Sequence, residues 1–484
     1  MNPRHLPVDI QLDRTADQPL FQQVYLQIRE KILQGILIPG TRLPSSRGLA
    51  KQLDLGRITI IQAYEQLQAE GYVKTLPGSG TFVADFIAHI SAGHKESSFS
   101  PELSAWGQRV MTQPTINKRG NSRLEIDFGF GRSFSHIFPY DIWRRLLARY
   151  LSTDDMMLSR YGSVAGFSPL REAVAAYLAR QRGVRCTTEQ VVIVSGAQQA
   201  LDILARLLLN PGDEVLVETP GYYDAYTLFE THGAVLVALS VDEYGLPVEK
   251  LPPLCCARIA FVTPSHQFPR GGMLSLQRRL ALLGWAEENH VWIIEDDYDS
   301  ELRYDGRPLS ALQGLDTTGH VIYLGNFSKV LFPGLRLGYI VLPKPLIEPF
   351  VRAKGLTDRG APTLTQAAVA DFIAEGHFER HLRHLRKAYK ERREVLVAAL
   401  ETYLSGRVHY SSVAAGLHVM LYLNPTCSEK EIVKQAASIG VGIYPGAPYH
   451  HEQPAPPSIL LGYTGLDTAE IHEGVKRLAT IIPE

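Results

Sequence analysis

Residues 326–339 read NFSKVLFPGLRLGY and follow the apolar run HVIYLG at 320–325. This stretch sets Lys329 seven positions before Arg336, with Ser328 beside the lysine. A short run rich in Val, Ile, Tyr and Leu predicts a buried strand, and the glycines around the arginine allow a tight turn after it. We therefore expect an amine and a guanidinium to lie close together just beyond the end of a strand.

Four other strand-like runs in the same part of the chain also end in polar or glycine-rich clusters. They are VVIVSGAQQAL at 191–201, VLVETPGYYDAY at 215–226, IAFVTPSHQFPRGG at 259–272 and VWIIEDDYDSE at 291–301. Because ligands of an open parallel α/β sheet bind beyond the carboxyl ends of its strands, the clusters predict a single site. Gly196 precedes a helix that is predicted from about Ala197, and the free N–H groups of its first turn favour a phosphate.

A phosphate site, a lysine, an arginine and a buried carboxylate together match the chemistry of pyridoxal 5'-phosphate. Its aldehyde needs an amine to form a Schiff base, which Lys329 can supply, and its ring nitrogen needs an acid, which Asp296 can supply. Arg336 suits the phosphate because its donors form a planar fork. Tyr298 can hydrogen-bond the phenolic oxygen of the cofactor, and Tyr222 can lie flat against its ring.

Each of these residues also has an ordinary structural interpretation. A lone lysine after a strand is usually a solvated surface group, and Tyr222 by itself could be packing. Glu295, Asp297 and Asp299 beside Asp296 could form an acidic loop or bind a hard cation. No repeating ligand pattern accompanies these carboxylates and no HExxH spacing occurs, so we predict no metal site. The joint occurrence of the clusters, in order, favours the cofactor.

The first 85 residues predict three short helices and a hairpin. Apolar residues recur at every fourth position over 20–32 and predict the first helix. Ser45 or Ser46 can cap a second helix, and a third is predicted over 57–70. The turn at 77–80 lies between two β-prone runs and predicts a hairpin. This order is that of a winged helix-turn-helix, whose third helix enters the major groove of DNA.

Charge and composition limit the partners of the chain. The 49 basic and 50 acidic residues nearly cancel, so contact with DNA must come from a local patch. Arg42, Arg47, Lys51 and Arg57 against the single Asp54 form such a patch. Only four cysteines occur, without metal-type spacing, and no signal peptide or apolar membrane span is recognisable. We therefore expect a cytoplasmic protein that does not associate with a membrane.

Residues 43–84, LPSSRGLAKQLDLGRITIIQAYEQLQAEGYVKTLPGSGTFVA, closely resemble the DNA-binding module of GntR-type bacterial transcription regulators. The resemblance implies that Arg47 and Arg57 contact DNA and that Thr59 lies near the start of the recognition helix. It also implies that Gly78 to Gly80 form the tip of the wing. Gly56 and Ile58 stand where residues in this family are more often polar.

The ordered strand-end clusters resemble those of class I aminotransferases of fold type I, from about residue 126 to the carboxyl end. The resemblance implies that Lys329 forms the Schiff base with pyridoxal 5'-phosphate, Asp296 holds the pyridine nitrogen and Tyr298 holds the ring hydroxyl. Tyr161 matches a tyrosine that reaches the phosphate from a neighbouring subunit, which implies a homodimer. The other residues implied to bind the phosphate or line the pocket are Ser328, Arg336, Tyr222, Ala197, Gln198, His266 and Gln267.

The two parts together resemble the MocR/GabR-type regulators. We predict a winged helix-turn-helix α+β domain at 1–85, a linker at 86–125 and an aminotransferase-like domain at 126–484. The last is predicted to be a large α/β domain of aminotransferase fold type I with a smaller C-terminal α+β subdomain. The resemblance implies a bacterial regulator that associates with the nucleoid, with a double-stranded DNA operator and a small-molecule effector as its expected partners.

Two departures from the aminotransferase pattern bear on activity. Asn326 replaces a residue that is often Ser or Thr. Leu460, in SILLGYTGL, stands where true aminotransferases usually carry an arginine that binds the substrate carboxylate. Three hypotheses therefore stay open. The chain is a regulator that senses an amine, an amino compound or pyridoxal 5'-phosphate itself, or it is an active aminotransferase with a DNA-binding head. In the third hypothesis it is a DNA-binding dimer without a functional cofactor site.

Overall fold

The computed structural model describes residues 9–85, 102–113, 124–131, 135–151, 159–304, 309–410, 415–451 and 454–483. The chain divides into two compact units, a head within residues 1–102 and a large unit within 103–484. None of the helices in the described ranges is long and apolar enough to cross a lipid bilayer.

The head contains the three helices and the hairpin that its sequence predicts. They are α1 (Leu20–Leu33), α2 (Ser46–Leu53), α3 (Arg57–Ala69), β1 (Val73–Leu76) and β2 (Gly80–Val83). The Ser45 hydroxyl accepts a hydrogen bond from the Gly48 N–H at 3.1 Å, which caps α2. Strands β1 and β2 pair in antiparallel fashion and form the wing.

One apolar core holds the head together. Val24 and Ile28 of α1 and Ile60 and Leu67 of α3 are fully buried in it. Burial of each such side chain contributes on the order of 1.5–3 kcal/mol. The opposite face of α3 therefore stays free for contacts outside the head.

The large unit alternates strands and helices. Its helices are α4 (Ala105–Thr112), α5 (Tyr140–Leu151), α6 (Ser168–Arg182), α7 (Ala197–Leu208), α8 (Tyr223–Thr231), α9 (Leu276–Asn289), α10 (Lys344–Thr357), α11 (Thr363–Ala374), α12 (His377–Tyr403), α13 (Glu429–Ser438) and α14 (Thr468–Leu478). Its strands are β3 (Ile126–Asp127), β4 (Val191–Val194), β5 (Glu214–Thr219), β6 (Val235–Ser240), β7 (Ala257–Val262), β8 (Trp292–Asp297), β9 (Val321–Asn326), β10 (Gly338–Val341), β11 (His409–Tyr410), β12 (His418–Tyr422), β13 (Val441–Gly442), β14 (Tyr444–Pro445) and β15 (Ser458–Gly462).

A seven-stranded sheet with the order β4-β10-β9-β8-β7-β5-β6 forms the centre of the large unit. The sheet has the α/β architecture that the sequence predicts, and it is mixed, because β10 runs antiparallel to both β9 and β4. Residues 327–337, which join β9 to β10, are too few for the crossover that a parallel neighbour needs. The turn that carries Lys329 and Arg336 therefore lies at the sheet edge where the other strands end.

The C-terminal part forms the smaller α+β subdomain that the sequence predicts. Strands β11, β12, β15 and β14 make a four-stranded antiparallel sheet, and α12 packs against α14. Strand β3, the first strand of the large unit, pairs in parallel with β13 of the C-terminal subdomain.

Helix α4 lies in the segment that the sequence assigns to the linker, yet it belongs to the large unit. The Ser104 hydroxyl caps it by accepting a hydrogen bond from the Gly107 N–H at 3.1 Å. Its packing partner is α8. The sequence does not predict this helix, because its apolar residues show little helical periodicity. None of its residues is buried, although it contacts α8.

Candidate functional site

A cavity opens at the carboxyl ends of the central strands of the large unit. It contains about 500 Å³ of space free of protein atoms, part of it open to solvent. The described residues that line it are Phe130, Ala197, Tyr222, Asp224, Phe268, Asp296, Tyr298, Asn326 and Lys329. Residues from the ends of β4, β5, β7, β8 and β9 thus converge, as the sequence predicts.

Lys329 lies three residues beyond β9 and is half-buried. Its backbone N–H donates to Asn326 Oδ1 at 3.3 Å, and its Nζ lies 4.3 Å from the centre of the Phe130 ring. Gly131 has a φ of +83°, and a Cβ there would come within 2.8 Å of the Lys329 Nζ. The glycine therefore leaves room for the amine, and the aromatic face gives it a partly apolar environment.

Asp296 is buried near the end of β8, and its Oδ1 has no hydrogen-bond partner among the described residues. Burial, together with the negative charges of Asp297 and Asp299, raises the pKa of Asp296 to about 7, although Lys329 acts in the opposite direction. A buried carboxylate oxygen without a partner costs several kcal/mol, on the order of 1–3 for the lost hydrogen bond and more for a charge. The site therefore favours a ligand that brings a cationic N–H donor to this oxygen.

A cationic cradle forms between the start of α7 and the turn before β10. Gly196 precedes α7 with a φ of +106° and provides no side-chain cap. A Cβ on Gly196 would lie 3.7–3.8 Å from the guanidinium atoms of Arg336. The open N–H groups at the start of α7 and this guanidinium are thus close together, and both favour a phosphate.

Tyr222 forms the near wall of the cavity and directly precedes α8. Its hydroxyl accepts a hydrogen bond from Gln198 Nε2 at 3.2 Å and donates one to Asp224 Oδ2 at 3.3 Å. These bonds connect the wall to the first turn of α7 and the first turn of α8. The side chain of Gln198 therefore contacts Tyr222, while its backbone lies at the phosphate cradle.

Tyr298 also lines the cavity, and His266 lies behind it. The Tyr298 hydroxyl and Asp299 Oδ2 each lie 2.9 Å from His266 Nδ1. All three side chains are buried. His266 thus contacts the cavity through Tyr298, and it is not one of the described residues that line it.

Gln267 does not reach the cavity. It is fully buried, and its Nε2 donates to the Pro220 and Phe268 carbonyl oxygens at 2.8 and 2.6 Å. Its Oε1 accepts from the Arg270 N–H at 3.1 Å. These bonds hold the loops after β5 and β7 together, so the residue supports the cavity wall from behind.

Two other residues, which the resemblance implies to bind the phosphate, are not among the described residues that line the cavity. Tyr161 is 86% exposed in the single chain, and Ser328 is half-buried beside Lys329. Their roles toward a phosphate stay predictions. The exposed phenol of Tyr161 is available to a second subunit.

Leu460, which stands where true aminotransferases usually carry an arginine, lies in β15. It is fully buried and pairs across the sheet with Met420 of β12. Both belong to one apolar cluster with Phe268 and Tyr298, two residues that line the cavity. The side of the site that faces this cluster is therefore apolar.

Sequence reasoning missed three of the lining residues. Phe130 precedes Lys329 by about two hundred positions, and only its place between two glycines after a strand was a signal. Asp224 and Phe268 stand within quoted clusters, but nothing in the pattern distinguishes them from their neighbours. Their contribution depends on loop geometry that no local pattern encodes.

In the head, the predicted DNA-contacting residues lie on α2, on α3 and in the wing. Arg47 and Arg57 are exposed, and Arg57 Nε lies 3.5 Å from Ser46 Oγ. Thr59 is half-buried in the first turn of α3. Gly78 and Gly80 have φ values of +75° and +120° in the wing, as a tight turn requires.

Arg42 is an additional basic residue at the wing. A Cβ on Gly80 would come within 2.9 Å of the Arg42 Nε, so the missing side chain lets this guanidinium lie against the turn. The exposed arginines and the wing together form a surface suited to phosphates.

The residues of the cavity fit pyridoxal 5'-phosphate. Asp296 offers the acceptor for a protonated ring nitrogen, and Lys329 offers an amine in the same cavity. Arg336 and the start of α7 form the cradle for a phosphate. The fit rests on the buried oxygen of Asp296 that lacks a partner and on the glycines that leave room for both cations.

Comparison with known proteins gives two family matches. The aminotransferase class I and II family matches residues 134–478, and the gntR family of bacterial regulatory proteins matches residues 20–83. The two matches fall in the large unit and in the head, respectively.

Relatives with the same two-part organisation match nearly the full chain. The probable rhizopine catabolism regulatory protein MocR of Rhizobium meliloti is 40% identical over 477 residues, covering 96% of this chain and 94% of its own. The HTH-type pyridoxine biosynthesis transcriptional regulator PdxR of Corynebacterium glutamicum is 31% identical, covering 92% of each chain.

Among solved structures, the kynurenine aminotransferase of Pyrococcus horikoshii, crystallised in complex with PMP, is similar to the large unit. It superposes with a TM-score of 0.70 and 31% identity, covering 81% of this chain and 98% of its own. The chain therefore belongs to the MocR-type transcription regulators, in which a GntR-type DNA-binding head is joined to an aminotransferase-like domain that binds pyridoxal 5'-phosphate.

Proposed function

We propose that the large unit senses a small amine or amino compound, or pyridoxal 5'-phosphate itself, and that its occupancy sets the affinity of the head for an operator. The observation that carries the proposal is the combination of groups in one cavity. Lys329 and Asp296 line it together with Phe268 and Tyr298, which pack in one apolar cluster with Leu460 and Met420.

The bound cofactor would supply an electrophilic carbon that amines attack. Lys329 would be the amine of the chain that holds this carbon, and Asp296 would keep a proton at the ring nitrogen. Arg336 and the start of α7 would bind the phosphate. The aromatic rings of Tyr222 and Phe268, which line the cavity, would limit the access of water.

The apolar side argues against turnover of ordinary amino acids. Lys329 is the one cation among the described residues that line the cavity, and Asp224 and Asp296 add negative charge. His418 packs against Phe268, and burial lowers the pKa of His418 to about 3, so its imidazole stays neutral. A carboxylate that enters here lacks a charge-assisted partner worth roughly 1.5–3 kcal/mol. An amine without a carboxylate next to its amino group fits better.

Helix α8 provides a route from the cavity to the linker. Tyr222 precedes its first residue, and the Thr231 carbonyl at its last residue accepts a hydrogen bond from Arg109 Nε of α4 at 2.8 Å. The rings of Trp106 and His232 lie 6.3 Å apart at the same contact. A helix of nine residues is about 13 Å long, so one rigid element connects both ends.

We infer that a ligand which shifts Tyr222 also shifts the C-terminal end of α8. The hydrogen bond between the Thr231 carbonyl and Arg109 of α4 would change as a result. Arg109 is well placed for this, because a cation at the C-terminal end of a helix interacts favourably with its carbonyl groups. The ligand must bind the two arrangements with different affinity, typically by about 1–3 kcal/mol. Residues 86–101, which precede α4 in the chain, lie outside the described residues.

A homodimer is part of the proposal. The exposed Tyr161 supports it, since this side chain lies on the surface of its own chain and is free to complete the site of a second copy. Sedimentation velocity of the loaded protein should show a single dimeric species. A monomer with full cofactor absorbance would contradict a shared site.

The main test is an absorbance titration of the loaded protein with amines and amino acids, followed by incubation with a keto acid. The sensor predicts a spectral change without repeated turnover, together with a changed affinity for operator DNA. Sustained production of a new amino acid would favour the aminotransferase hypothesis. A protein that takes up no cofactor would favour the DNA-binding dimer.

A further inference from the structure

Among the described residues of the head, Ile58 is the most exposed large apolar residue, at 72%. It is the second residue of α3, between Arg57 and Thr59. It is absent from the apolar core of the head, which takes Ile60, Ala63 and Leu67 from the same helix. The core therefore gives no reason for an isoleucine at this position.

The helical repeat places Ile58 opposite the buried stripe. With 100° between successive residues, Ile58 lies roughly 180° from Leu67 and about 160° from Ile60. Gln62 and Glu65 follow on the same outer face, and both are exposed. This outer face is the one that a recognition helix presents to the major groove, where residues near its start reach the base edges.

The start of α3 is open toward such a partner. Gly56 precedes the helix without a side-chain cap, and the Arg57 side chain lies beside Ser46 of α2. Gly56 has no side chain and the Arg57 side chain lies toward α2, so neither covers the solvent-exposed side of Ile58. Arg57 can therefore bind a phosphate or a base while Ile58 enters the groove beside it.

We propose that Ile58 recognises the C5-methyl group of a thymine in each operator half-site. This inference rests on the proposed contact of α3 with DNA and goes beyond it by naming the group that is read. The thymine methyl is the apolar group on the major-groove edge of the base pairs. A branched aliphatic side chain packs against it, whereas the polar edges of the other bases would lose water without gaining a partner.

The test begins with selection of binding sites by the full-length loaded protein from a library of random DNA duplexes. Each conserved thymine of the selected site is then replaced by deoxyuridine, which removes the methyl group alone. We expect one position in each half-site to lose about fourfold in affinity, the equivalent of ~0.8 kcal/mol for one buried methyl group. Ile58→Ala should weaken binding to the thymine site and abolish the difference between thymine and uracil at that position.

Ile36→Ala is the matched control, because Ile36 is also exposed in the head, at 60%, but lies outside α3. It should leave both affinities unchanged. If Ile58→Ala keeps the full penalty for uracil at every position, Ile58 does not read the methyl group. If Arg57→Ala and Ile58→Ala both leave DNA binding intact, the contact of α3 with DNA itself is wrong, which separates the two failures.

Discussion

The DNA-binding surface of the head and the cavity of the large unit differ in how their functional residues are held. Arg47, Arg57 and Ile58 project into solvent and contribute little to the core of the head. Asp296 and Tyr298 are buried, and their charges and hydrogen bonds depend on several neighbours. Changes in the head should therefore alter DNA affinity alone, whereas changes in the cavity should alter ligand binding and stability together.

The largest expected effect is the loss of covalent cofactor binding in Lys329→Ala. Borohydride reduction followed by mass spectrometry should find no cofactor adduct, while basal DNA binding persists because the head is a separate unit. Lys344→Ala, an exposed lysine of α10, is the control and should keep the adduct. An adduct on another lysine of Lys329→Ala would overturn the assignment.

The complementary change in the head is Arg57→Ala. It should lower the affinity for the selected duplex by about 100-fold, near the upper end for one arginine at a base edge, and leave the cofactor absorbance intact. Fluorescence anisotropy at fixed salt measures the loss. Arg14→Ala removes an equal charge from the head and should cost much less. Loss of both DNA binding and cofactor colour would show that the two units are not independent.

Asp296→Asn should alter the stability of the cofactor-free protein. The pKa of Asp296 is about 7 in the folded chain and about 3.9 when unfolded, so the unfolded chain loses this proton first as pH rises. The free energy of unfolding therefore falls between about pH 4 and pH 7, by roughly 2–4 kcal/mol from this group.

The neutral amide of Asp296→Asn should remove this fall in the free energy of unfolding and raise the melting temperature at pH 8. It should also reduce the stabilisation that cofactor gives the wild-type chain, because one of several contacts to the cofactor is lost. Asp141→Asn, on the exposed surface of α5, is the control for both measurements. If Asp296→Asn melts lower than wild type without cofactor and gains as much stability from it as wild type does, the carboxylate is not the partner of the ring nitrogen.

The smallest expected effect tests the connection between the two regions. Arg109→Ala removes the hydrogen bond to the Thr231 carbonyl. The ratio of DNA affinities with and without effector should therefore be about 10-fold smaller than in wild type. Cofactor absorbance and basal DNA affinity should change less than about twofold in the same titrations. Arg109→Lys keeps the charge at the end of α8 and should retain part of the response. An unaltered response in Arg109→Ala would exclude this route.

Much of the architecture could be predicted from local patterns. The apolar spacing within α1 and α3 and the capping serine before α2 defined the head. Five apolar runs with polar ends predicted five of the seven strands of the sheet and placed Lys329, Asp296 and Tyr222 at one edge. These features depend on neighbours in the sequence, so local pattern suffices for them.

The structure corrected or completed this prediction where distant segments meet. In the structure, β10 is an antiparallel strand of the sheet and α4 packs against α8. Phe130 lies beside Lys329, and Gly196 lies beside Arg336. Gln267 is buried behind the cavity. The sequence by itself determined which chemical groups the protein carries and the elements that hold them. Only the tertiary structure decided which groups face each other, because contacts between residues far apart in the chain depend on how whole elements pack.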